Sequence, residues 1–263
     1  VSIDPILLSK VTKPARYVGG EWNSVVKNHD DVKLTVAYCF PDVYEVAMSH
    51  LGLRILYALL NERQDVAAER VYAPWPDMEE LMRKEGYPLF SLETKTPVKE
   101  FDMVGFTLQY EMSFTNILNM LDLAGMPVYA KDRGEDMPIV AAGGPCAYNA
   151  EPLADYIDVF FLGESEESTQ LLADTIIEWK EAGKPGGKKG LLKTLATQQG
   201  NYVPAFYQPE YDDAGNFKAL IPTEPEAKAH IEKCVVADEE RVFFPTKPIV
   251  PNIDIVHNRA VLE

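Results

Sequence analysis

The sequence predicts an α/β fold, doubly wound around a parallel sheet. Three observations predict it. Continuous apolar, β-rich runs recur at 33–40, 68–73, 101–108, 138–142 and 156–162. Segments with apolar residues at helical spacing alternate with them at 45–61, 76–84, 113–124 and 166–182. Glycine or proline stands directly after several of the runs, at Pro41, Gly143-Gly144-Pro145 and Gly163. Alternating strands and helices form βαβ units, and right-handed crossovers then give a sheet covered on both faces, as in Rossmann-like folds. Ligands of such sheets bind beyond the carboxyl ends of the strands, which directs attention to the loops 40–45, 73–76, 108–113, 143–149 and 163–166.

Each element has its own signature. Residues 33–40 are too continuously apolar for a surface helix and read as a strand buried on both faces, ended by Pro41. The helix predicted over 45–61 places Val46, His50, Leu53, Leu56, Tyr57 and Leu60 on one stripe. A strand at 68–73 precedes a helix whose first turn holds Pro76 and Asp77, both suited to that position. A small extra strand is expected at 88–92. The strand 101–108 leads to a helix that stops at Gly125, and the strands 138–142 and 156–162 run into glycine turns before the long amphipathic helix 166–182. Past Gly186 the texture changes. The runs 202–207 and 217–221 flank Asp212-Asp213-Ala-Gly-Asn216, a hairpin turn, and predict a β-appendage. Residues 222–255 are rich in proline and read as an extended arm packed over a neighbour, and 259–263 begin a further strand. The organisation expected is a lead at 1–32, the α/β domain at 33–185, a helix and hairpin appendage at 186–221 and the arm at 222–263.

Composition narrows the function. The 263 residues are 46% hydrophobic and 25% charged, ordinary values for a globular chain with a full core. A formal charge of -16 repels nucleic-acid backbone, and the densest basic stretch, 184–193, is interleaved with Gly and Pro as in a solvated loop entering a short helix. Cys39, Cys146 and Cys234 lie far apart, which argues against a disulfide framework and a metal knuckle and fits a reducing cytoplasm. No apolar run approaches the ~20 residues that span a bilayer, and the sequence starts at Val1, without an initiator Met, with no charged n-region followed by an apolar h-region.

The most informative constellation is Gly143-Gly144-Pro145-Cys146-Ala147, then Glu151-Pro152-Leu153-Ala154-Asp155, then Gly163-Glu164-Ser165-Glu166-Glu167. Glycines at strand ends let backbone approach a flat or phosphate-bearing ligand, and equally they make tight turns that the sheet itself requires. Together with Gly105-Phe-Thr107-Leu-Gln109, this series resembles the cobalamin-binding-like domain that precedes many radical-SAM cores. Further upstream, residues 13–21, Phe40-Pro-Asp-Val-Tyr-Glu45, Ser49-His-Leu-Gly52, Ala73-Pro-Trp-Pro-Asp77 and 118–125 are similar to one largely uncharacterised subgroup of radical-SAM proteins, so the resemblance covers nearly the whole chain. It implies an accessory domain presenting a crevice for cobalamin or substrate, with Thr107, Gln109, Tyr110, Gly143, Gly144, Pro145, Gly163 and Glu164 as cofactor-binding candidates. It also implies that the iron-sulfur cluster and S-adenosylmethionine belong to a core absent here, whose first strand begins at 255–263. That core, in cis, is the expected partner, with no catalytic residue and no metal ligand in the present chain.

One motif departs from the resemblance. Cobalamin domains that replace the lower base of the cofactor use Asp-x-His-x-x-Gly, whereas Met48-Ser-His50-Leu-Gly52 lacks the Asp and brings its Gly one residue early. His50 is also expected inside the first helix, where a bond to a nearby carbonyl or carboxylate suffices to explain it. Glu164, Glu166 and Glu167 suit a ribose or amide, and equally the N-terminus of the following helix. Tyr110-Glu111, Trp75 and Asp77 face a ligand or cap a helix. Cys39 is expected in the core and Cys146 in a loop. Two other functions remain open: a free-standing flavodoxin-like nucleotide-binding domain, although no GxGxxG or Walker loop is present, and an interaction module using the arm as a strap.

Overall fold

The computed structural model describes residues 5–236 and 243–257. Eight strands and seven α-helices are defined. The strands are β1 (Leu34–Phe40), β2 (Val66–Tyr72), β3 (Met103–Thr107), β4 (Ile139–Gly143), β5 (Val159–Phe161), β6 (Asn201–Tyr202), β7 (Tyr207–Tyr211) and β8 (Phe217–Pro222). The helices are α1 (Pro5–Leu8), α2 (Tyr44–Ala47), α3 (Leu51–Asn61), α4 (Pro76–Glu85), α5 (Phe114–Leu123), α6 (Glu166–Glu181) and α7 (Gly187–Thr197). The main sheet has the order β2-β1-β3-β4-β5-β6, and its first five strands are parallel. This is the doubly wound α/β class that the sequence predicts. Strand order reverses between β1 and β3, which makes the gap above their carboxyl ends the topological switch point.

Burial follows the pleat. In β1, Ala37 and Cys39 point to the face covered by α4 and α5, where Met78, Met82, Ile117 and Met120 pack. Leu34, Val36, Tyr38 and Phe40 point to the face covered by α3, α6 and α7, where Leu53, Tyr57, Ile176 and Leu195 pack. Every residue of β1 and of β2 is buried, the signature of strands covered on both sides. The edge strand β2 is shielded by a loop, with Leu92 N donating to Arg70 O and Arg70 N donating to the Glu93 carboxylate at 2.7 Å. The Arg70 guanidinium is itself buried between Glu93 at 2.6 Å and Glu21 at 2.7 Å.

Three expectations need correction. The helix predicted over 45–61 is two helices, α2 and α3, because Ser49 and His50 interrupt it and His50 becomes the N-cap of α3. Residues 88–92 form no strand. Phe90 makes one isolated bridge to Pro97, and the neighbouring backbone bonds go to α5 and β2 instead. The run 202–207 is divided: Asn201–Tyr202 joins the main sheet antiparallel to β5, and only the part from Tyr207 pairs with β8. The sheet is therefore mixed, with one antiparallel edge strand.

The hairpin β7–β8 turns at Asp212, whose carboxylate accepts from the Ala214 and Asn216 amides at 2.9 and 2.8 Å. Beyond it the arm carries no helix and no strand among the described residues. It touches the domain at two isolated bridges, Gly163 with Cys234 and Trp22 with Val250. Its last described residue, His257, donates its amide to Ser49 Oγ at 3.0 Å, beside His50. The strand expected to begin at 259 lies outside the described residues. No described helix is long and apolar enough to cross a membrane.

Candidate cofactor crevice

A cavity of about 140 Å³ opens between α3 and α6, above the carboxyl-terminal halves of β1, β3, β4 and β5. Small residues make it. Gly105 and Gly143 lie on its floor with Ala141, and the helices stand back because no side chain rises between Tyr38, Met103 and Phe161. An added Cβ at Gly105 would come within 3.4 Å of Met103 Cε and Tyr38 Cδ1, and one at Gly143 within 3.6 Å of Phe161 Cβ. Both are ordinary contacts, so a methyl group there is tolerated but takes volume from the crevice. Leu53, Ile55 and Leu56 of α3 face Thr169 and Leu172 of α6 across it. Polar groups gather at the strand ends: His50, Thr107, Gln109, Ser165 and Glu166.

The five candidates Thr107, Gln109, Gly143, Gly144 and Gly163 come together on this lining, although they arise from three separate strand ends. Tyr110, Pro145 and Glu164 do not. Tyr110 is 61% exposed, Pro145 is exposed, and Glu164 accepts from the Val236 amide, which ties the arm to β5. The glycines also divide by cause. Gly144 has φ +111°, and a Cβ there would lie 2.8 Å from Leu108 O, so it is demanded by the close approach of the loops after β3 and β4. Gly163 has φ +101°, and its Cβ would lie 2.1 Å from Cys234 O, so it is demanded by the arm. Only Gly143 of the three is free of such a requirement. Missing from the sequence reading were the α3 and α6 walls and Gly105; the signal available was the glycine inside the β3 run, since a strand-interior glycine marks close approach of another group.

His50 occupies the switch point. Its Nδ1 accepts the Leu53 amide at 3.0 Å, so the ring closes the N-terminus of α3. Burial holds its pKa below the ordinary imidazole value; the Gln109 side chain works in the opposite direction and Arg54 in the same one. A neutral ring with Nδ1 accepting carries its proton on Nε2. That tautomer has no lone pair to offer a metal. The ring has two partners, the Leu53 amide that Nδ1 accepts and the Gln109 side chain, and it sits at the helix start instead of inside the helix, where the sequence places it. Tyr38, buried below, has its phenol pushed up by burial, with Thr169 acting against the shift through a hydrogen bond.

The remaining candidates have structural partners. Trp75 precedes α4 with the Arg16 guanidinium 4.8 Å from its ring centre, and Asp77 accepts from the Thr12 amide at 2.7 Å. Cys39 is fully buried, as expected for core. Among the described residues no His, Cys, Asp and Glu side chains converge as a metal site.

A doubly wound α/β sheet with a glycine-lined crevice at its switch point defines the fold class, and the sequence comparison makes the class specific. Residues 52–204 match the N-terminal family of radical-SAM proteins, and the chain belongs to that family. It is 28% identical over 140 residues to the uncharacterized protein MJ0966 of Methanocaldococcus jannaschii, an alignment covering 52% of this chain and 25% of that one. Among solved structures it is similar to the cobalamin-dependent S-adenosylmethionine radical enzyme OxsB. The form with aqua-cobalamin and S-adenosylmethionine bound matches at a TM-score of 0.44 and 15% identity, over 82% of this chain and 24% of that one. The form with aqua-cobalamin bound matches at 0.37 and 13%, over 74% and 23%. The chain thus spans about a quarter of the length of the proteins it matches.

Proposed function

We propose that this chain is the accessory domain of a radical-SAM enzyme, that the α3–α6 crevice takes the flat nucleotide base of cobalamin, and that the carboxyl edge of the sheet docks against the radical-SAM core in cis. The observation that carries the reading is the crevice itself: a narrow, mainly apolar slot with Gly105 and Gly143 as its floor, at the switch point of the sheet. A bicyclic aromatic base fits such a slot, and Thr107, Gln109, Ser165 and Glu166 at its mouth would meet the attached sugar and phosphate linkage through hydroxyl, amide and carboxylate groups. Bound cobalamin supplies organometallic or radical chemistry, and the domain itself positions it. His50 does not fit the role of lower ligand, because its lone pair is committed to Leu53.

Docking is supported by the side chains around the mouth. Trp75, Tyr110, Met112 and Tyr148, in the loops after β2, β3 and β4, are 45%, 61%, 73% and 61% exposed. A flavodoxin-like nucleotide site has the strand order in its favour. It would place a phosphate at the start of α3, where His50 already occupies the Leu53 amide.

Titration with aquacobalamin tests the proposal. The visible spectrum is expected to move to the form without a nitrogen lower ligand, since a base held in the crevice cannot reach cobalt. His50→Ala is expected to give the same spectrum, and Gly143→Val to prevent binding. Absence of any spectral change with the wild-type chain, or binding undiminished in Gly143→Val, would overturn the cofactor assignment.

A further inference from the structure

Among the described arginines, Arg54 stands apart. Arg16, Arg63, Arg70, Arg83 and Arg133 each hold a carboxylate. Among the described residues the guanidinium of Arg54 has no ion pair and no hydrogen bond, and its Nε is fully buried without a partner. A buried donor left unpaired costs roughly 1–3 kcal/mol. A guanidinium with one donor buried in that state and no protein carboxylate on its fork invites an acceptor from outside.

The space beside it has room for one. Arg54 lines a cleft of about 430 Å³ on the outer side of α3, closed by residues 23–25 and by 243–249 of the arm. Lys247 adds a second cation with no ion pair among the described residues, while Tyr57, Phe243 and Ile249 add apolar wall. The amides of the lining are already used: Asn23 Nδ2 donates to Pro248 O at 2.9 Å, and Asn61 Nδ2 to Ala68 O at 2.9 Å. Among the described residues Glu62 is the one carboxylate on the lining, two helical turns from Arg54, which is about 12 Å along the axis.

We propose that this cleft is a second ligand site, taking a small organic oxyanion, a phosphate or carboxylate on an apolar body, gripped by the Arg54 fork with Lys247 beside it. Guanidinium and oxyanion match in a planar, two-bond geometry, and a partly desolvated pair is stronger than the same pair in water. The site is separate from the α3–α6 crevice, to whose lining Arg54 does not belong. The two share helix α3, and Arg54 helps to hold the His50 pKa down, so neutralising Arg54 should let it rise.

The test is calorimetric titration of the whole chain with phenyl phosphate, benzoate and benzyl alcohol. One or both anions should bind saturably, the tighter of the two fixing the class, and the alcohol should not. Arg54→Met is expected to weaken binding by at least about tenfold, the worth of a charged hydrogen bond, and to hold or raise the melting temperature, because no partner is lost and the unpaired Nε is removed. Lys247→Gln, at an exposed position, should weaken binding several-fold and carries the same reading if Arg54→Met folds poorly. The His50 ring resonances should titrate at higher pH with the anion bound. Binding of neither anion at ~10 mM, a concentration that detects even weak sites, or binding unchanged in both variants, would overturn the site.

Discussion

His29 and Glu69 form a pair whose protonation matters to stability. Their side chains meet at 2.6 Å, with Glu69 buried and bonded also to Thr94. The Glu69 hydrogen bond raises the His29 pKa above its ordinary 6.5. A group with a raised folded pKa contributes stability that is complete below its unfolded value and is lost as pH rises through the folded one. The melting temperature should therefore fall as pH rises from about 6.5 through the raised value of the ring, and this slope should flatten in His29→Gln, measured by thermal melts across that window. His50 titrates the other way, because burial lowers it; it stays neutral near pH 7, consistent with its role as a cap. At Gly144, replacement by Ala forces a side chain into left-handed backbone and against Leu108 O. A loss of roughly 1–3 kcal/mol is expected in denaturant melts.

Among the elements, the edge of the sheet rests on Arg70. Removing it in Arg70→Met leaves Glu21 and Glu93 buried without a counter-charge, and a buried pair broken from one side costs roughly 3–5 kcal/mol. Chemical denaturation should show that loss, and Glu93→Gln should recover little of it, since Glu21 stays. The arm depends on a different residue. Gly163→Ala would meet Cys234 O, so the bridge at 234 should open. Limited proteolysis should then cut within 222–243 faster while the melting temperature of the sheet domain changes little.

For the whole molecule, the sequence carries the fold because two-faced burial leaves continuous apolar runs, as in 33–40 and 101–108, that only a covered parallel strand requires. It carries part of the crevice because glycine at a strand end is visible in one dimension. Gly143 is legible for that reason, Thr107 and Gln109 through the family resemblance of the 105–109 segment, and the three share one lining. Their helical walls were not, since Leu53, Leu56 and Leu172 look like any core positions until the spacing of α3 and α6 is known. The break at Ser49-His50 was hidden by an apolar stripe that keeps helical period across it. Nor could the sequence show that Gly163 and Glu164 serve the arm, because their partners Cys234 and Val236 lie some seventy residues away. Arg54 had no signal at all: an unpaired cation is defined by what surrounds it.

In the proposed function, the α3–α6 crevice is the cofactor-binding surface of an accessory domain. Amide hydrogen exchange of the chain with and without aquacobalamin addresses it most directly. Protection is predicted to rise at 51–56, 105–109, 143–144 and 165–172, with the hairpin 207–222 unchanged. Protection confined to other segments, or none at a saturating concentration, would contradict it.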